Sequence, residues 1–264
     1  MLRKKFVCEA RKQWACHAQS ERADAKSPLA WWMSGRHIGS GVPERREEMV
    51  LSDTMRPPTP VVVWLLTGLT VAAYLAFAFA SPNTQSALDY AFALIPERFH
   101  ADSQYHFEHW YEAFGPIFGH AFLHLGWFHL AVNVFFLFGA SRLPALRLGT
   151  MRYLVIYFSA VAVDALVFIA LNWNGEASAV GASGGVCGMI TAFFLASRPT
   201  WREALADPQV RGPLAVLFVI NVVVFGVLAE AGIVPIAWEG HLGGFIGGGI
   251  AYVLLQPRAP LKPA

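Results

Sequence analysis

A serine set between glycines, in Gly181-Ala182-Ser183-Gly184-Gly185, opens an apolar segment running from Val186 to Ala196. Glycine on either side removes Cβ bulk, so other groups can approach the hydroxyl closely. At a helix N-terminus such a serine also has unpaired backbone N–H groups beside it, which suit a developing oxyanion. For this stretch alone, a small-residue packing motif is the plainer alternative. Further along, His241 is the only His, Asp, Glu, Lys or Arg between Glu239 and Arg258. It lies among Gly240, Gly243, Gly244, Gly247, Gly248 and Gly249. Of these, Gly240, Gly244 and Gly248 form a small-residue stripe that permits close helix packing. Two glycine-faced helices, one offering a serine and the other a histidine, can bring an Oγ to an Nε2. That is the nucleophile–base geometry of acyl transfer. His129 and Asn133 stand four residues apart and share one helix face, with His124 nearer the outer end. Polar side chains at membrane depth are costly, which makes all of these functional candidates.

The elements that position them are membrane spans. Hydrophobic residues make up 55% of the 264 and charged residues only 14%, which excludes an ordinary soluble domain. Pro57-Pro58-Thr59-Pro60 leads into a first apolar run over 61–80. Further runs follow at about 113–140, 153–171, 183–197, 213–231 and 238–255. The second carries His120, His124, His129 and Asn133, and a Trp110-Tyr111 pair before it suits a membrane interface. The fourth holds only 15 residues, roughly 22 Å of helix against about 30 Å of bilayer core. Ser183 is therefore expected below the membrane surface, beneath non-helical backbone that only protein or a water-filled cavity can surround. Of the 20 Lys and Arg, 19 fall in alternate connections and the termini, and Arg98 stands alone in the first loop. By the positive-inside rule this predicts six spans, both termini cytoplasmic and the serine toward the outer leaflet.

Residues 1–56 are polar, of mixed charge and interrupted by Pro and Gly, with no apolar run suited to a signal peptide. They are expected to be a flexible cytoplasmic extension, and Met49 or Met55 is an alternative start. Residues 57–256 form the six-span domain and 257–264 a basic, Pro-rich cytoplasmic tail. Cys8, Cys16 and Cys187 are too few and too scattered for a disulfide framework, lack zinc spacing, and are expected to be free thiols. Glu230 and Glu239, at the outer ends of the last two spans, are expected to be solvated interfacial acids. Asp164, inside the third span, reads as a buried structural hydrogen-bonder without a catalytic role.

Three motifs carry a resemblance. They are His124-Leu-Gly-Trp-Phe-His129-Leu-Ala-Val-Asn133, Gly181-Ala-Ser183-Gly184, and Gly240-His241-Leu-Gly-Gly244-Phe-Ile-Gly-Gly248. In their order, internal spacing and spans, they resemble the rhomboid family of intramembrane serine proteases, over roughly 61–255. The resemblance implies an all-α membrane protein, a six-transmembrane-helix rhomboid bundle whose short fourth helix carries the nucleophile. It implies Ser183 as nucleophile and His241 as base, a dyad without an acid. His129 and Asn133, with the Ser183 N–H, would stabilise the oxyanion. His124, Gly181, Gly184, Gly240 and Gly244 would support the site. No cofactor or metal is implied. The partners would be transmembrane protein substrates and the lipid bilayer, with no nucleic acid. Two positions depart from the family pattern. Cys187 stands where some members place an aromatic against the base, and the first loop has no Trp-Arg pair.

Rival readings are weaker. The Gly-x-Ser-x-Gly elbow of soluble α/β-hydrolases fits residues 181–185, but six apolar spans exclude that fold. A solute transporter predicts internal repeats that the chain lacks. A catalytically inactive rhomboid-like protein that binds membrane clients would have lost its serine or histidine, and both are present. The expected location is a bacterial plasma membrane, with a mitochondrial inner membrane the weaker option. The sequence names neither a substrate nor an oligomeric state.

Overall fold

The computed structural model describes residues 57–174 and 178–256. The extension over 1–56, with Cys8 and Cys16, and the tail over 257–264 lie outside them. Helix α1 is Val61–Ala78. The first loop then folds into α2, Pro82–Phe92, capped by the Ser81 hydroxyl, and two 3-10 turns, Pro96–Phe99 and Trp110–Ala113. Next come α3, Phe114–Gly119, and the 3-10 turn His120–Phe122. Then follow α4, Trp127–Leu148, α5, Thr150–Leu171, and α6, Ser183–Leu195. The last three are α7, Trp201–Ala206, α8, Pro208–Glu230, and α9, Trp238–Leu255. Residues Val219–Val224 of α8 form a π-helical segment.

Four of these, α1, α4, α5 and α8, are long and apolar enough to cross a membrane. The 13 residues of α6 fall short of that, near 20 Å at helical rise. The 18 residues of α9 match α1 in length but carry Glu239, His241 and the glycines. Its bounds coincide with the expected sixth run, and α6 begins at the serine as expected.

The second run departs from expectation. It does not form one helix over 113–140. Between α3 and α4 the chain turns 3-10 at His120 and extends through Leu123 and Gly126. At this turn the His120 ring is held between the Pro116 carbonyl and Asp164 of α5. The helix that does form continues through Pro144 to Leu148, so Arg142 and Arg147 lie in its last turns rather than in a loop. It stops at Gly149, whose φ of +78° is a left-handed conformation that few side chains tolerate, and α5 begins at the next residue.

Packing centres on α6. Ten of its 13 residues are buried, between α4, α5 and α9. Helix α9 meets α6 along one glycine face and α5 along another. A Cβ on Gly244 would stand 2.1 Å from the Gly184 carbonyl oxygen, and one on Gly248 would stand 2.3 Å from the Gly188 Cα. A Cβ on Gly243 would stand 2.6 Å from the Val163 carbonyl oxygen. These are backbone-on-backbone contacts, which only small residues allow. By contrast α8 is loosely held: Val210, Val222 and Gly226 are its only buried residues.

Candidate active site

Ser183 is the first residue of α6 and is half-buried. The non-helical backbone before it is pinned at three points. Ala179 pairs with Leu94 of the first loop through two 3.0 Å hydrogen bonds, forming an isolated antiparallel bridge. The Gly181 N–H donates to the His120 carbonyl at 2.9 Å. The Ala182 N–H donates to His124 Nε2 at 3.4 Å. Gly181 has φ of +132°, and a Cβ there would lie 2.7 Å from the His129 ring, so glycine is required twice over. Among the described residues, the Ser183, Gly184 and Gly185 N–H groups find no backbone or side-chain acceptor. They point out of a helix N-terminus, which favours negative charge.

His129 lies in the first turn of α4, with its ring against Gly181. The Leu125 N–H approaches its Nδ1 at 3.5 Å, which leaves Nε2 as the ring's donor. Asn133, one turn on, is buried, and its amide donates to the His129 carbonyl at 2.9 Å. That bond uses one amide hydrogen and leaves the second. His124 is buried edge-on to Tyr74 and His129, at centroid distances of 6.2 and 5.1 Å. Through the Ala182 N–H it holds the backbone that leads into Ser183.

His241, in the first turn of α9, is buried. Its Nδ1 lies 3.2 Å from the carbonyl oxygen of Asn221, which can only accept, so the ring proton sits on Nδ1 and Nε2 is an acceptor. Asn221 belongs to the π segment of α8, and its own amide donates to the Leu217 carbonyl at 2.9 Å. Sequence reasoning passed over Asn221, although it is the one strongly polar residue of the fifth run before Glu230. The cost of such a group at membrane depth was the available signal. Ser183 Oγ makes no hydrogen bond to His241 or to any other described residue. The structure thus joins the two helices at Gly184 and Gly244, next to the serine and one turn from the histidine, without a hydrogen bond between the two side chains.

Asp164 of α5 is drawn into this centre. Its Oδ2 lies 3.0 Å from His120 Nε2, while His120 Nδ1 lies 2.8 Å from the Pro116 carbonyl. With both ring nitrogens engaged, one by a pure acceptor, imidazole and carboxyl hold two protons between them. Cys187 is a buried free thiol one turn below Ser183, and among the described residues no aromatic ring stacks on His241. Glu239 corrects the expectation of a solvated acid. It is 8% exposed and accepts the Asn172 amide at 3.0 Å, because Asn172, at the C-terminal end of α5, meets the first turn of α9. Glu230 is exposed, as expected, and accepts the Trp238 indole N–H at 3.2 Å. Among the described residues, no group of three or more His, Cys, Asp or Glu side chains is placed to hold a metal ion.

In the first loop, Arg98 is buried between the rings of Tyr90 and Phe107, 4.2 and 4.3 Å from their centroids, and donates to the Tyr90 carbonyl. The single Lys or Arg of the first loop therefore holds that loop together from within.

Comparison with protein families matches a model described as Rhomboid domain to residues 108–258, the stretch that runs from α3 through α9. Comparison with curated proteins gives no match.

Proposed function

Because the chain belongs to the rhomboid family, whose domain model covers more than half of it, we propose that it is an intramembrane serine endopeptidase. In this reading it cuts transmembrane segments of other membrane proteins through Ser183 and His241. Ser183 Oγ attacks the scissile carbonyl carbon and its proton passes to His241 Nε2. The bond from Nδ1 to the Asn221 carbonyl supports this assignment, since it leaves Nε2 as the ring's acceptor. The carbonyl electrons move to oxygen, and the oxyanion faces the Ser183 N–H, His129 Nε2 and the second amide hydrogen of Asn133. Collapse of the intermediate expels the amine, which takes the proton from His241. A water that gives a proton to His241 then hydrolyses the acyl-enzyme.

The observation that carries this reading is the serine at the head of a short buried helix, beside N–H groups without acceptors. Six membrane crossings, both termini in the cytoplasm and a bacterial plasma membrane belong to the same proposal. The distribution of 19 of 20 basic residues supports the orientation. A second reading, an inactive member that binds membrane clients, draws on the lack of a Ser183–His241 hydrogen bond. Against it, catalytic hydrogen bonds are often long before substrate binds.

Cleavage of a fluorogenic transmembrane-segment peptide by detergent-purified protein, with Ser183→Ala alongside, separates the two. Cleavage abolished by the substitution is expected. Cleavage that survives it would reject Ser183 as nucleophile, and no cleavage by either protein across several substrates would favour client binding.

A further inference from the structure

We propose, resting on the Ser183–His241 reading above, that Asp164 is a positioning residue: held by His120, its carboxyl sets the spacing of the serine and histidine helices. Asp164 is 6% exposed and His120 2%. The two carboxyl oxygens face different helices. A Cβ on Gly184 would stand 2.0 Å from Oδ2, and a Cβ on Gly240 would stand 2.1 Å from Oδ1. Gly184 follows Ser183 in sequence and Gly240 precedes His241. One planar group therefore lies against the backbone next to both members of the dyad. Below it α6 and α9 touch directly at Gly184 and Gly244. The carboxyl lies against Gly184 of the one helix and Gly240 of the other.

His120 extends this hold to the other side of the serine. Its ring bonds Asp164 at 3.0 Å and its carbonyl accepts the Gly181 N–H at 2.9 Å. Ser183 is thus held two residues before it by the His120 backbone and one residue after it by the carboxyl that the His120 ring fixes. Packing alone does not call for this pair, since a buried polar pair of this kind gives little net stability over apolar groups of the same volume. A displacement near 1 Å at the reacting atoms costs on the order of 100-fold in rate. Losing the carboxyl should therefore act on kcat, with KM little changed, because Asp164 and His120 are both buried and present little surface to a substrate.

The test uses the full chain in detergent, with kcat and KM for a transmembrane peptide, labelling of Ser183 by a fluorophosphonate, and thermal unfolding. Asp164→Asn keeps the planar shape and a hydrogen bond to His120, and is expected to retain kcat within about tenfold. Asp164→Ala is expected to lose on the order of 100-fold in kcat, and Ser183 labelling with it, while still folded at the assay temperature. Asp164→Glu keeps the carboxyl group but lengthens the side chain by about 1.5 Å against two glycine backbones, and is expected to lose kcat similarly. Should the alanine variant not fold, the glutamate variant decides. Parental kcat in a folded Asp164→Ala or Asp164→Glu protein overturns the inference, as does an Asp164→Asn variant no more active than alanine. If the parent itself shows no Ser183-dependent cleavage, the protease reading falls and this inference with it. An active parent with equally active variants removes this inference alone.

Discussion

Replacing Gly244 with alanine adds one methyl group at the point where α6 and α9 touch. The new Cβ would stand 2.1 Å from the Gly184 carbonyl oxygen, 2.7 Å from its carbon and 2.8 Å from its Cα. Ordinary contact begins at 3.4 Å, so the helices must part by about 1.3 Å (3.4 less 2.1) along that contact. Every facing atom is backbone, and no side chain can swing aside. Overpacking of this kind costs about 1–3 kcal/mol, offset by about 1 kcal/mol of better helix propensity. The net loss of stability is therefore modest, about 0–2 kcal/mol. The effect on chemistry is larger, because Gly184 adjoins Ser183 and α9 carries His241 one turn from Gly244. Misplacement by about 1 Å is worth on the order of 100-fold in kcat, or about 2.7 kcal/mol of barrier. The assay is kcat on a transmembrane peptide, with thermal unfolding in the same detergent. Gly139→Ala in α4 is the control, since a Cβ there meets nothing within 4 Å. It should gain up to about 1 kcal/mol and leave kcat unchanged. A Gly244→Ala protein within threefold of parental kcat would refute the view that backbone contact sets the site.

Two further outcomes concern the ends of the fold. Arg98→Ala removes the cation stacked between Tyr90 and Phe107 and should lower the unfolding midpoint by the equivalent of about 1–3 kcal/mol, with earlier proteolysis of the first loop. An unchanged midpoint and cleavage pattern would assign the loop's order to other contacts. At the opposite end, the Gln209 N–H and then Arg198 hold the Asp207 carboxyl below its ordinary value of 3.8. A depressed carboxyl stabilises the fold above its unfolded-state value, and that contribution is lost as pH falls through the folded-state value. The stability gap between parent and Asp207→Asn should accordingly be constant above about pH 4 and close below it. A gap that persists unchanged to pH 3 would count against the Arg198 and Gln209 contacts.

Much of the site was legible because its signals are local. His129 and Asn133 share a face by helical spacing alone, and the structure places them in successive turns of α4. The Gly240, Gly244 and Gly248 stripe announced a close approach, and two of its three members meet α6 backbone while the first meets Asp164. The break at 120–126 was not legible, nor was the His120–Asp164 contact beside it, whose partners lie 44 residues apart. Nor was the burial of Glu239, whose partner Asn172 is 67 residues away. Both errors concern polar groups read by the apolar pattern around them.

The sequence by itself determined the membrane class, the apolar helices, the short helix opened by Ser183 and the residues worth watching. Hydropathy, periodicity and the cost of polar groups in lipid act residue by residue and need no fold. Only the tertiary structure decided which partner satisfies each buried polar group. It gave His241 the Asn221 carbonyl, His124 the Ala182 N–H, and Asp164 the His120 ring. Hydrogen bonds require donors and acceptors within about 3 Å. Which groups reach that distance is settled by how helices cross, and crossing geometry is a property of the packed chain rather than of any one stretch.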